Sequence, residues 1–329
     1  MSALAATMET FFTERLLTQR QASPRTITAY RDTLRMLLVF AQERTGKAPS
    51  RLDIADVDAA LVAAFLSHLE QDRHNSVRTR NTRLAAIRSL YRYAALRHPE
   101  HAALIGRVLA IPTKRYDRAE VSFLSPDEVD ALLGAPDRDT WIGRRDHALM
   151  VVAIQTGLRV SELTQLTASD AHLGSGAHVR CHGKGRKDRV TPLTAKTVAV
   201  LRVWMRERTG QSCDPLFATS RGTAISADAV QWLLAKYAAV AATSCASIKN
   251  KHLSPHVLRH TCAMNLLQAG VETTVIALWL GHESTQTTQI YLHADLKLKE
   301  KALERTAPPN TKSGRYRPPD PLLAFLEAL

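Results

Sequence analysis

The stretch LSPHVLRHTCAMNLLQAG sets two chemically capable side chains on one face of a helix start. Ser254 and Pro255 read as the N-cap and first helical position, and Gly270 as the stop. His256 and Arg259, at i and i+3, then share the first turn. Backbone N–H groups and the positive end of the helix dipole favour an anion there. A bidentate guanidinium with an imidazole donor suits a phosphate. A rival pairing, His256 with His260 at i and i+4, has the spacing of zinc ligands. Val257 stands where a zinc-protease helix carries glutamate, and a third ligand has to come from elsewhere. No metal is expected, and His260 reads as a hydrogen-bonded core histidine.

Other segments carry groups whose meaning depends on company. In TGLRVSELTQL, Gly157 suits the position that ends the helix HALMVVAIQT, and Arg159 follows at the junction with the next helix. Glu162 lies three residues on, on the same face. An arginine in such a turn, taken alone, is a surface cap. Lys184 lies in the tight turn GKGRK, where Arg186, Lys187 and Arg189 compete with it for any role. In WLGHESTQTTQIYLHAD, Gly281 ends a short helix, His282 emerges at the turn, and Ser284 suits the N-cap of a helix carrying Tyr291. By itself Tyr291 reads as a half-buried aromatic before it reads as a nucleophile.

Placing these residues takes a chain that is mainly α with a small β-sheet. Residues 1–113 read as a domain of helices only. In SPRTITAYRDTLRMLLVFAQERTG, Ser23 caps, Pro24 opens and Gly46 stops a helix with Ile27, Tyr30, Leu34, Leu37 and Leu38 at helical spacing. VDAALVAAFLSHLE repeats the pattern. A third helix, SVRTRNTRLAAIRSLYRYAALRH, aligns Leu84, Ile87, Tyr91 and Ala94, with Arg78, Arg80, Arg83, Arg88 and Arg92 around the remainder. Residues 1–115 hold 18 Lys/Arg against 10 Asp/Glu, and the excess concentrates on this helix. The arginine run is either a solvated face or a surface laid against phosphates. Few acidic i,i+4 partners accompany it, which points Arg78, Arg80, Arg83 and Arg88 toward nucleic acid.

Segment 114–122, which overlaps the polar IPTKRYDRAE of 111–120, reads as a linker. Beyond it, FLSPDEVDALL offers Ser125 as N-cap, Pro126 next and acids in the first turn, opening a second domain over 123–305. This domain is mostly helical. Its sheet comes from AHVRCHGKGRKDRVTPL, which alternates on either side of GKGRK as two strands around a Gly-rich turn do. Residues 306–329 start Pro-rich and polar and end in the short apolar helix PLLAFLEAL. Leu322, Leu323, Phe325 and Leu326 have no evident partner within nine residues, so the helix folds back on its domain or is offered to another protomer.

Bulk properties agree with two globular domains: 329 residues allow separate cores, and 45 % are hydrophobic. Lys+Arg of 44 against Asp+Glu of 31 gives a net charge of +13, which favours a polyanionic partner, nucleic acid being the commonest. Cys181, Cys213, Cys245 and Cys262 lie far apart with no C-x-x-C pair, so free thiols in a reducing cytosol are expected rather than a zinc knuckle or disulfide scaffold. No stretch reaches the roughly 18 apolar residues of a membrane span. The start MSALAATMETFFTERL lacks the basic region of a leader. The expected location is cytoplasmic, without a membrane partner.

In chain order, T-G-L-R-x-S-E-L, G-K-G-x-K, H-x-x-R-H and L-G-H-x(8)-Y together resemble the tyrosine recombinases of the phage-integrase type, with a pattern similar to the bacterial Xer recombinases. The resemblance covers Phe123 to Leu298. More loosely, TITAYRDTLRMLLVFA is similar to the family's helical, SAM-like core-binding domain. The resemblance implies that Arg159 and Arg259 clamp a scissile phosphate, with Glu162 orienting Arg159. It implies Lys184 as general acid for the leaving oxygen, His256 and His282 at the phosphate, and Tyr291 as nucleophile. The implied activity is site-specific DNA cutting and rejoining through a 3′-phosphotyrosyl intermediate, without metal, ATP or other cofactor. The implied partners are double-stranded recombination sites and further copies of the chain in a synaptic homo-tetramer, with the 320–329 helix as the candidate contact. Bound to DNA, the protein would be nucleoid-associated.

No position of the catalytic set is substituted. The departures are Trp279, where a smaller apolar residue is common before L-G-H, and the length of the Pro-rich tail. Positive charge around Tyr291 is expected to favour its phenolate. A type IB-like topoisomerase would use similar chemistry without needing paired sites. A non-catalytic DNA-binding regulator on the same fold is disfavoured by the intact set.

Overall fold

The computed structural model describes residues 2–117, 121–183, 188–208 and 210–281, together with Thr288 and Tyr291. Lys184, His282 and the 306–329 tail with its terminal helix lie outside the described residues. The chain divides into two compact units, Met1–Ala119 and Glu120–Leu329.

The described part of the first unit is helical: α1 (Ala3–Thr10) runs into a π-helical stretch (Phe11–Gln19), followed by α2 (Pro24–Thr45), α3 (Ala59–Gln71), α4 (Val77–Ala94) and α5 (Ala102–Ala110). Local chemistry sets the ends. Ser23, Asp58 and Ser76 each accept a first-turn N–H, and Gly46 closes α2 in the left-handed conformation. α4 threads the core, with Leu84, Ile87, Leu90 and Tyr91 buried in one cluster with Leu34, Leu37, Val62 and Phe65. Burying Tyr91 strands no polar atom, because its hydroxyl donates to the Val57 carbonyl.

The arginines of α4 divide into two kinds, which corrects the expectation of a common outward basic face. Arg80 is 6 % exposed and donates to the Pro112 carbonyl at 2.9 Å and to Asn81 Oδ1 at 3.1 Å. Arg88 donates to the Ile111 carbonyl. Asn81 completes the brace, donating to the Lys114 carbonyl at 2.8 Å and accepting the Lys114 N–H at 3.1 Å. The physical reason is that the segment leaving α5 has carbonyls no helix satisfies, and the guanidiniums of α4 supply their donors. Arg83 is half-buried and donates to Thr33 Oγ1 at 3.0 Å, while Arg78 is exposed.

The second unit holds α6 (Pro126–Gly134), α7 (Trp141–Thr156), α8 (Val160–Gln165), α9 (Ala195–Glu207), α10 (Ala227–Ala241), α11 (Pro255–Gln268) and α12 (Thr273–Leu280). One antiparallel sheet, ordered β1 (Ala171–His172), β2 (His178–His182), β3 (Asp188–Pro192), lies among them. α7 is the pillar. Its Ala148, Leu149, Met150, Val152, Ala153 and Ile154 are buried around the whole circumference, as in a helix enclosed by others, and α6, α9 and α11 pack on it. The buried carboxylate of Asp146 accepts from Arg145 at 2.6 Å and from the Tyr237 hydroxyl at 2.9 Å, tying α7 to α10. Among the described residues no helix is long and apolar enough to cross a membrane.

Candidate active site

The site begins where α7 stops. Gly157 ends that helix with φ +63°, and a Cβ there would stand 2.6 Å from Leu280 Cδ2 and 3.1 Å from Cys262 Sγ. Backbone conformation and available space both require glycine. The reversal delivers Arg159 to the start of α8, one turn from Glu162. Glu162 is buried and accepts both the Arg159 N–H and Arg159 Nη1, each at 2.8 Å. Arg159 Nη2 donates to the Gly281 carbonyl at 2.9 Å. Burial alone would raise the Glu162 carboxyl, but the Arg159 N–H and the Arg189 charge outweigh it and hold the group below the usual carboxylate range.

α11 contributes the second cation. Ser254 accepts the Val257 N–H, so His256 and Arg259 fall in the first turn and a half. Arg259 is 4 % exposed and donates to the Gly157 carbonyl and the Leu280 carbonyl, both at 2.6 Å. Burial and the like charge of Arg159 lower its guanidinium to about 10, which leaves it protonated at neutral pH. His256 is solvent-exposed at the start of α11. Partial desolvation, then the charges of Arg259 and Arg159, push its imidazole below the ordinary histidine value.

A third guanidinium arrives from the sheet. Arg189 of β3 donates to the Leu280 carbonyl at 2.7 Å and to Glu162 Oε2 at 2.9 Å. Among the described residues, three cations therefore meet one carboxylate and the carbonyls that end α12, the negative end of its dipole. Gly281 sits in the middle with φ +64°, and a Cβ on it would fall 2.1 Å from Arg189 Nη1. The positive charge left uncancelled is what an anionic ligand would neutralise.

Tyr291 lies against this cluster and is 1 % exposed. Its ring packs in an apolar group with Cys262, Ala263, Met264, Leu267, Ile276 and Leu280. Its hydroxyl is 3.0 Å from His260 Nδ1. Burial pushes the phenol up to about 12, and the opposing pull of Arg259 and Arg159 does not offset it. This corrects the expectation of a charge-favoured phenolate: removing an anion from water outweighs two nearby guanidiniums, so the hydroxyl is neutral.

The structure thus brings together Arg159, Glu162, His256, Arg259 and Tyr291. Beside them stand two residues that the sequence motifs do not single out. Arg189 was one of several basic residues near a turn, yet its alternation with buried Thr191 puts it on the inward face of β3, opposite buried Cys181. An arginine at an inward strand position is a legible signal. The sequence predicts His260 as a hydrogen-bonded core histidine, but its partner lies 31 residues away and no local pattern names it.

Residues 122–297 match the model of the phage integrase family, and residues 10–98 that of the phage integrase N-terminal SAM-like domain. The protein y4rC of Sinorhizobium fredii, an integrase/recombinase by name, is 55 % identical over 328 residues, covering 100 % of this chain and 99 % of that one. The tyrosine recombinase XerC of Pelobacter propionicus is 34 % identical over 307 residues, covering 93 % of this chain and 95 % of that protein. Among solved structures, the XerH site-specific recombinase bound to palindromic difH substrate is alike in fold, with a TM-score of 0.70 at 22 % identity over 87 % of this chain and 81 % of that one. The chain belongs to the phage integrase family and is a site-specific recombinase of the tyrosine type.

Proposed function

We propose that this recombinase cuts and rejoins duplex DNA through a covalent 3′-phosphotyrosyl bond at Tyr291. The observation that carries the reading is the convergence of Arg159, Arg189 and Arg259 on the carbonyls of Leu280 and Gly281, with buried Tyr291 packed against Leu280. Phosphoryl transfer asks the protein mainly for in-line positioning and for cancelling charge on the non-bridging oxygens. Permanently protonated guanidiniums do this. Arg159 and Arg259 hold the non-bridging oxygens, with Glu162 fixing Arg159 and His256 and His282 donating to the same phosphate. Tyr291 Oη bonds to phosphorus as the bond to the 5′ oxygen breaks. Lys184 gives the leaving oxygen its proton. The new ester keeps the energy of the old one, so rejoining needs neither ATP nor a further cofactor.

The test is incubation with a nicked duplex carrying the protein's recombination site, followed by denaturing electrophoresis. A protein–DNA adduct is expected that disappears in Tyr291→Phe and persists in Tyr237→Phe. An adduct that survives Tyr291→Phe sinks the assignment.

Exchange between two duplexes cuts four strands, so four protomers are inferred, with the 320–329 helix joining neighbours. Its four large apolar residues, Leu322, Leu323, Phe325 and Leu326, motivate that choice. Truncation after Pro319 is expected to abolish cooperative binding in a gel-shift titration. Unchanged cooperativity excludes the helix as the contact.

A further inference from the structure

Attack by a neutral phenol leaves one atom to account for: the proton on Oη needs a destination. The partners of the buried tyrosines show what this chain does with such hydroxyls. Tyr91 donates to a backbone carbonyl, and Tyr237 to the Asp146 carboxylate at 2.9 Å. The carboxylate works against ionisation, since after burial it is the charge that raises the Tyr237 phenol. Tyr291 instead meets an imidazole. His260 Nδ1 lies 3.0 Å from Oη, and the two rings stand edge to face, with centroids 5.5 Å apart and planes 63° apart. A neutral imidazole accepts a proton without placing negative charge beside the forming phenolate.

The surroundings keep His260 in that form. Burial, then the charges of His256 and Arg259, lower it to about 4. His256 stands one turn away on the same helix, its ring 6.4 Å from that of His260. A phosphodiester bound by His256, Arg259 and Arg159 brings negative charge to this cluster, which makes the imidazole more basic as the reaction begins.

We propose that His260 is a further catalytic residue, whose Nδ1 holds the Tyr291 hydroxyl and takes its proton as Oη bonds to the scissile phosphorus. The proposal rests on Tyr291 being the nucleophile. In the displacement the Oη–P bond forms and the P–O5′ bond breaks. The 5′ oxygen leaves with a proton from Lys184, and His260 becomes imidazolium. Rejoining reverses each transfer, and His260 returns the proton to Oη.

His260→Asn tests this, because the amide Oδ1 falls near the place of Nδ1 and accepts a hydrogen bond without being a base. The variant is expected to bind the nicked duplex as the parent does, while single-turnover adduct formation falls by about 10²–10⁴-fold. The same loss is expected on a duplex whose scissile 5′ oxygen is replaced by sulfur, a leaving atom that needs no proton. A defect confined to the oxygen substrate overturns the proposal, because it places His260 on the leaving-group side. An unchanged rate also overturns it. His260→Ala with added imidazole is the second arm: recovered adduct formation supports a proton acceptor, and no recovery overturns it. Failure of the nucleophile reading has its own signature, an adduct that survives Tyr291→Phe.

Discussion

Both units bury arginines against backbone carbonyls, yet the two sets differ in what surrounds them. In the first unit Arg80 and Arg88 reach the carbonyls of Pro112 and Ile111, each guanidinium serving a different residue of one outgoing segment. In the second, Arg159, Arg189 and Arg259 crowd on Leu280 and Gly281 with, among the described residues, a single carboxylate, Glu162, for company. A guanidinium used as a brace needs only carbonyls. A cluster of three that cancels one charge is built to receive another. Burial and hydrogen bonding look alike at the level of one residue, and the unbalanced neighbourhood separates structure from chemistry.

That distinction is open to attack at both ends. The larger effect is expected at Arg259→Lys. The charge stays, but one ammonium cannot serve the Gly157 carbonyl, the Leu280 carbonyl and a phosphate oxygen in a fixed fork. Adduct formation in a single-turnover assay is expected to fall by about 10³-fold or more, with binding of the duplex retained. Wild-type rates in this variant would reduce the cluster to a brace. The smaller effect is expected at Arg80→Met. Losing the charged donor to the Pro112 carbonyl should lower stability by up to about 1.5–3 kcal/mol, the usual worth of a hydrogen bond to a charged group, seen as an earlier urea midpoint. Adduct formation by the folded fraction should not change. A loss of chemistry without a loss of stability would mean that the first-unit arginines also act on DNA from within the brace.

Much of the fold was legible because its punctuation is local. Ser23 with Pro24, Ser125 with Glu128 and Ser254 with Pro255 announce helix starts within four residues of sequence, and Gly46, Gly157 and Gly281 announce ends. The stripe Leu84, Ile87, Tyr91 and Ala94 announces its own burial by period. The helix from Ala3 and its π-helical continuation carry no strong repeat in sequence. β1, two residues long, is fixed only by its pairing with β2. In the site, Arg159 and Glu162 were readable as an i,i+3 pair. The Arg189 and His260 contacts span 27 and 31 residues, and only tertiary packing creates them. The error over Arg80 and Arg88 has the same root. A helix pattern says which residues leave the apolar stripe, and cannot say that a later segment will return to cover them.

The carbonyls at the end of α12 have a consequence for anyone who would engineer this enzyme. They hold three guanidiniums in place before any substrate arrives, so the work of desolvating and orienting those cations is done during folding, and little reorganisation is left for the reaction itself. Buried charge of this kind is a drag on stability that well-packed apolar side chains can relieve. A selection for heat resistance alone would therefore drift toward apolar replacements at Arg159, Arg189 and Arg259, and its winners would be durable proteins unable to recombine DNA.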